Sequence, residues 1–117
     1  MEYIDLHVHS NKSDGTLSPS EVVRLAKEKN LKAIALTDHD TVAGVKEAIE
    51  EGKKLGVMVI PGIEISADYN GGDLHILGLN VDYLDEGFED IVDMCQKSRV
   101  DRNNKIIEKM QADGIDI

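Results

Sequence analysis

The chain has 117 residues, of which 41% are hydrophobic and 31% charged, so it is long enough for one compact domain with its own core but not for two. The net charge of −10 argues against a basic surface that holds duplex nucleic acid or anionic lipid. No apolar run approaches the length of a membrane span, and the first residues lack the basic start of a secretory signal. With a single cysteine, Cys95, the composition predicts a cytoplasmic protein that does not contact a membrane.

The first two predicted elements are a strand and a helix. Residues 3–8 predict the strand, and a polar loop follows it. Ser18-Pro19-Ser20-Glu21 then has the pattern of a capping box with proline at the first helical position. We therefore expect a helix that begins there and ends near Asn30.

A second strand and helix are expected next. Residues 33–37 form a short apolar run that is typical of a strand buried on both faces. A helix is predicted from about Val42 to Leu55, with Gly56 suited to the residue after its last turn. Strands that alternate with helices favour a largely parallel sheet, with the chemistry at the C-terminal ends of the strands.

Two further strands complete the predicted sheet. The first covers residues 57–66 and is expected to be interrupted at Pro61, and the second covers residues 74–81. Gly71-Gly72 predicts the turn between them.

A long helix is predicted over residues 85–112, with Asp113-Gly114 as its stop. Its middle, residues 96–105, is almost wholly polar and carries Lys97, Arg99, Arg102 and Lys105. One interpretation is a solvated face whose cations pair with neighbouring acids. The other is a phosphate clamp formed by Arg99 and Arg102.

Histidines and carboxylates gather at the predicted strand ends. His7 and His9 are two residues apart, so a strand directs both imidazoles to one face, where a single ion can accept both. His39 lies between two aspartates after the second strand, and His75 follows Asp73-Leu74. This combination favours a metal-dependent hydrolase.

Five motifs in order carry a family resemblance. His7-Val8-His9, Ser13-Asp14-Gly15-Thr16, Thr37-Asp38-His39-Asp40, Gly62-Ile63-Glu64-Ile65-Ser66 and the isolated His75 before Leu77-Gly78 resemble the polymerase and histidinol phosphatase (PHP) superfamily of metal-dependent phosphoesterases. The chain looks most like the stand-alone enzymes that act on nucleoside 3′,5′-bisphosphates and short oligoribonucleotides.

The resemblance implies a role for each matching residue. His7 and His9 would bind one ion, Glu64 would bridge it to a second ion held by His75, and Asp14 and His39 would bind a third. The cofactors implied are two or three divalent ions of manganese, iron or zinc. Asp5, Asp38 and Asp40 are expected to accept hydrogen bonds from the imidazole N–H groups. His39 and Asp40 are the candidate catalytic residues, and His39, Arg99 and Arg102 the candidate substrate-binding residues.

The fold implied is α/β, the N-terminal portion of a distorted (β/α)7 barrel with about four strands, flanking helices and a long C-terminal helix. Residues 1–84 would carry the metal-site half, and residues 85–113 the helix leading to an insertion and a second half that relatives have beyond this chain. An exposed sheet edge or the long helix is then expected to cause self-association.

The function implied is hydrolysis of phosphate monoesters by water that the ions activate. A metal-binding module without turnover, either truncated or of the polymerase-accessory type, is the alternative from another class. A histidinol-phosphate phosphatase is a third possibility.

Overall fold

The computed structural model describes residues 3–69 and 72–115. Within them, four strands form one sheet in the order β1-β2-β3-β4, and three helices accompany it. The elements in chain order are β1 (Tyr3–Val8), α1 (Pro19–Glu28), β2 (Leu31–Leu36), α2 (Val45–Leu55), β3 (Met58–Tyr69), β4 (Gly72–Leu79) and α3 (Glu86–Ala112). The α/β class, the four strands and the long last helix are confirmed.

The sheet is parallel across its first three strands and antiparallel at its last pair. Helices α1 and α2 provide the long crossover connections that parallel strands need. The connection between β3 and β4 is too short for a crossover, so these two strands must be antiparallel. The prediction of a largely parallel sheet is therefore confirmed, because two of the three strand pairs are parallel. Gly71, in the predicted turn, lies outside the described residues.

Pro61 lies within β3 and does not interrupt it, contrary to the prediction. Residues 58–61 pair with β2 and residues 62–69 with β4, so Pro61 lies where the strand changes its partner. The carbonyl of Pro61 still accepts a hydrogen bond from the Val81 amide at 3.0 Å. At Gly62 the neighbouring segments of the sheet approach closely. A Cβ atom there would lie 2.8 Å from Thr37 Cγ2 and 2.9 Å from the carbonyl oxygen of Gly78.

The helix ends follow the predicted signals. Ser18 Oγ accepts a hydrogen bond from the Glu21 amide, and the Glu21 carboxylate accepts one from the Ser18 amide, each at 3.2 Å. Gly56 ends α2 with a φ of 75°, a left-handed conformation that glycine adopts without strain. Helix α2 starts three residues later than predicted, at Val45, and Gly44 before it provides no side-chain cap.

The core lies between the sheet and helices α1 and α2, and it is built from small and branched apolar side chains. Its buried members are Val22, Val23, Ala26, Ile34, Leu36, Val45, Ala48 and Val57. Helix α3 contributes little to burial, because Val92 is its one buried residue. Across the described part of the chain, no helix is both long and apolar enough to cross a membrane.

Candidate metal centre

The candidate site forms where the C-terminal ends of β1 and β2 meet the middle of β3. The Thr37 amide donates to the Val8 carbonyl at 2.8 Å and aligns the first two strand ends. The Glu64 amide then donates to the Asp38 carbonyl, and the Asp40 amide donates to the Glu64 carbonyl, each at 3.0 Å. This backbone ladder fixes His39 beside Glu64.

Glu64 is at the centre of the site, and its side chain is 4% exposed. Its Oε1 accepts a hydrogen bond from His7 and lies 3.3 Å from His9 Nε2. Its Oε2 lies 3.1 Å from His39 Nδ1 and 3.0 Å from His75 Nδ1. Each carboxylate oxygen therefore faces two imidazole nitrogens.

Asp14 approaches the same histidines from the loop after β1. Its Oδ1 accepts a hydrogen bond from His9 Nδ1 at 2.6 Å, and its Oδ2 lies 3.1 Å from His39 Nε2. The Asp14 side chain is 60% exposed, so it borders solvent while Glu64 lies beneath it. His9 and His39 thus lie between two carboxylates.

Two buried ring nitrogens in the site, His9 Nε2 and His39 Nδ1, have no hydrogen-bond partner. A neutral His9 that donates from Nδ1 to Asp14 directs the lone pair of its Nε2 towards a Glu64 oxygen. Two acceptors that face each other repel, and a cation between them removes the repulsion. The imidazole nitrogens and carboxylate oxygens of this site are therefore arranged as ligands of metal ions.

The ligand atoms fall into three groups, each with its atoms within 4.8 Å of one another. The groups are His7/His9/Glu64, His39/Glu64/His75 and His9/Asp14/His39. All six residues that the resemblance named as ligands are brought together, and three of them, His9, His39 and Glu64, each belong to two groups.

The two central carboxylates are held in their ionised form. The hydrogen bond from His9 outweighs the effect of burial and lowers the pKa of Asp14 below its ordinary value. Burial by itself would raise the pKa of Glu64, but the hydrogen bond from His7 and the electrostatic effect of the surrounding imidazoles together lower it. An ionised carboxylate accepts without donating, which is the form that binds a cation.

Asp5, Asp38 and Asp40 were expected to accept hydrogen bonds from imidazoles, and their described hydrogen bonds come from other donors. Asp5 accepts from the backbone amide of His7 at 3.1 Å. Asp38 accepts from Ser10 and Ser13. The donors to these three carboxylates in the described residues are backbone amides, serine hydroxyls and the Arg99 guanidinium.

Asp40 is 2% exposed, has a φ of 52°, and joins helix α3 to the sheet. Its Oδ1 accepts from the Ser66 amide at 3.1 Å, and its Oδ2 accepts from Arg99 Nη1 at 3.0 Å. The Asp40 carbonyl accepts from Gln96 Nε2 at 3.0 Å. Because both carboxylate oxygens accept hydrogen bonds, Asp40 holds Arg99 and β3 together. Its catalytic role stays a prediction.

The polar middle of α3 lies over the site. A cleft of about 380 Å³ separates it from the metal centre, with Asp14, His39, Gln96 and Arg99 in its lining. Arg102 lines a neighbouring cleft of about 500 Å³ together with Arg99. The Arg99–Asp40 pair was in neither interpretation of the polar middle of α3. Gln96 and Ser10 were not identified from the sequence, because no short motif marks them, and Ser66 was part of a quoted motif but was given no role.

Sequence comparisons relate this chain to known proteins of one family. The sequence model of the PHP domain matches residues 5–115. A 5′-3′ exoribonuclease of Haemophilus influenzae is 40% identical over 95% of the chain, and a 3′,5′-nucleoside bisphosphate phosphatase of Chromobacterium violaceum is 33% identical over 98% of it. The chain covers 40% of each relative.

A solved structure of a Chromobacterium violaceum amidohydrolase, with bound sulfate and no metal, superposes with a TM-score of 0.84 at 33% identity. The match covers 96% of this chain and 39% of that one. The sheet and helices described here therefore occur in a larger solved protein.

Proposed function

Because the chain belongs to the PHP domain family, we propose that it forms the metal site of a metal-dependent phosphoesterase. The proposed substrates are small phosphorylated molecules, either nucleoside 3′,5′-bisphosphates or short oligoribonucleotides. The activities in the names of the two relatives support this choice. The observation that carries the proposal is the buried Glu64 carboxylate facing four imidazoles, two of which present unpartnered nitrogens.

The proposed cofactors are two or three divalent ions of manganese, iron or zinc, since mixed nitrogen and oxygen donors suit each of these. The ligands would be His7, His9, Asp14, His39, Glu64 and His75, in the three groups described above. When bound, such ions activate water for attack on phosphorus and stabilise the charge of the phosphoryl group.

The chain's own residues then bind and orient the substrate. His39 lines the cleft while its two ring nitrogens face Glu64 and Asp14, so we assign it to ligation and to contact with the phosphate. Asp40 acts through Arg99, whose guanidinium it holds beside the cleft. The buried Glu64 keeps its negative charge under the site and fixes the imidazoles around it.

Arg99 and Arg102 are the proposed clamp for a second phosphate. They are three residues apart on α3, which places them on one face of the helix. Arg99 lines both clefts and Arg102 lines the one farther from the metal centre. A phosphate bound there would lie beyond the reach of the ions, as a doubly phosphorylated substrate requires.

Phosphate release tests the proposal. With manganese added, we expect inorganic phosphate from adenosine 3′,5′-bisphosphate and mononucleotides from a short oligoribonucleotide, and less inorganic phosphate from histidinol phosphate. The Glu64→Gln variant should release none. Metal binding without release from any of these substrates would favour the module without turnover, and a preference for histidinol phosphate would favour the third function.

The proposal places the protein in the cytoplasm, where its single cysteine would stay reduced.

A further inference from the structure

Asp38 is a buried carboxylate that the ligand groups do not include. It is 1% exposed, and it lies immediately before His39 at the end of β2. A charge so deeply buried is costly unless it is hydrogen-bonded. Its partners therefore indicate what it does.

The partners of Asp38 lie in the loop after β1. Its Oδ1 accepts from the Ser10 amide at 2.6 Å and from Ser13 Oγ at 3.0 Å, and its Oδ2 accepts from Ser10 Oγ at 2.7 Å. Ser10 is fully buried. One carboxylate thus receives three hydrogen bonds from two residues of a single turn.

That turn carries Asp14, the exposed member of the ligand set. The Ser10 carbonyl accepts from the amides of Ser13 at 3.2 Å and Gly15 at 2.9 Å, so the chain closes tightly on both sides of Asp14. A Cβ atom at Gly15 would lie 2.7 Å from the carbonyl oxygen of His9, which leaves no room for a larger residue. The direction of the Asp14 carboxylate therefore depends on how Ser10 and Ser13 are held.

We propose that Asp38 is a positioning residue for the ligand group His9/Asp14/His39. Through its side chain it holds the turn that presents Asp14, and through the backbone it is joined to His39. It thereby sets the distance between two of the three ligands without contacting the ion itself. This inference rests on the proposed function, because it concerns one of the metal groups proposed there.

The first experiment is a titration of manganese into metal-free protein, with Asp38→Ala compared to Asp14→Ala. Asp14→Ala removes both carboxylate oxygens, so it defines the binding curve of protein that lacks this one ligand group. We expect Asp38→Ala to reproduce that curve, with binding by this group at least about tenfold weaker and the two groups that contain Glu64 retained. A wild-type curve, or an equal loss from all three groups, would overturn the proposal.

The conservative variant provides a control for general damage. In Asp38→Asn the amide oxygen can still accept from the Ser10 amide and Ser13 Oγ, while Ser10 Oγ becomes an acceptor for the new NH₂ group. Asp38→Asn should therefore restore most of the binding that Asp38→Ala loses. If Asp38→Ala does not fold, Ser10→Ala removes the hydrogen bond from Ser10 Oγ to Asp38 Oδ2 and should weaken the same group alone. Ser10 is preferred to Ser13, whose Oγ also lies 3.5 Å from Asp14 Oδ1. An unchanged curve for Ser10→Ala would then count against the proposal.

Hydrogen exchange in metal-free protein gives a readout that does not depend on the ions. The amides of Ser13 and Gly15 should exchange at least about tenfold faster in Asp38→Ala, because the turn that protects them is released. The amide of Glu64, which donates to the Asp38 carbonyl, should keep its protection. Unchanged exchange at Ser13 and Gly15 would contradict the inference. If wild-type protein bound no metal, the proposed function would fail while this measurement still tested the role of Asp38.

Discussion

Glu64→Gln is the substitution that tests the metal centre most directly. It keeps the size of the side chain and replaces one carboxylate oxygen by an NH₂ group that cannot bind a cation. Two of the three ligand groups contain Glu64, and the third, His9/Asp14/His39, does not. The effect should therefore be confined to two groups.

The expected magnitude follows from the contacts of each oxygen. Oε1 faces His7 and His9, and Oε2 faces His39 and His75, so the amide abolishes the contact on one side and leaves a neutral oxygen on the other. Loss of a residue that only supports a ligand costs about 10- to 100-fold in metal affinity, and loss of a ligand should cost no less. The side that keeps an oxygen should weaken by a smaller factor, because a neutral acceptor interacts about half as strongly as an ionised one.

The assay is calorimetric titration of metal-free protein with manganese, followed by measurement of the bound metal after desalting. Glu50→Gln, on the exposed side of α2, removes the same charge far from the site and should bind like wild type. The His7→Ala/His9→Ala double variant should lose the His7/His9/Glu64 group and weaken the His9/Asp14/His39 group, because His9 belongs to both. Equal metal content in wild type, Glu64→Gln and the double variant would refute the assignment of the ligands.

Four further results are expected. Arg99→Ala and Arg102→Ala should each cost about 1.5–3 kcal/mol with a bisphosphate substrate and almost nothing with an aryl phosphate, measured as kcat/KM, and equal losses on both substrates or on neither would leave a solvated helix face. Gly52→Ala should lower the free energy of unfolding by about 1–3 kcal/mol in a denaturant titration, because the new Cβ would lie 2.5 Å from the Val57 carbonyl oxygen. Alanine usually favours a helix over glycine, so a stabilised variant would contradict this clash. Burial and the charge of Asp40 raise the pKa of Cys95, so at a given pH it holds less thiolate and should be alkylated more slowly in the folded than in the denatured protein, with no difference counting against burial. The strand β4 at the sheet edge exposes Leu74, Ile76, Leu77 and Leu79, so sedimentation should show self-association that grows with concentration, and a single monomeric species throughout would be contrary evidence.

Local signals in the sequence predicted the parts of the fold that depend on near neighbours. The capping box at Ser18 and the glycine at position 56 define helix ends within a few residues, so their effect can be judged without knowing the rest of the chain. The same holds for His7 and His9, whose spacing places both rings on one side of β1. Ring centroids 5.1 Å apart agree with that placement.

Contacts between distant residues could not be predicted in the same way. Pro61 was expected to break a strand because proline lacks an N–H, but β3 changes its partner at that residue and the missing donor does no harm. Asp38 accepts from Ser10, which is 28 residues away in the sequence. Asp40 accepts from Arg99, which is 59 residues away. Which of many possible donors reaches a carboxylate depends on the packed strands, and a motif in one segment contains no information about them.

The contact between Asp40 and Arg99 is compatible with a phosphate clamp because of the shape of guanidinium. Arg99 Nη1 donates to Asp40, and a guanidinium carries five N–H donors in a fixed plane, so donors remain for an anion in the cleft. If Arg99 left Asp40 to bind phosphate, a carboxylate that is 2% exposed would lose its charged partner. Binding of phosphate by the remaining donors avoids that cost and keeps the side chain in one orientation. The buried acid beside His39 therefore favours a clamp that is oriented before the substrate arrives, whereas a free surface arginine would have to be ordered on binding.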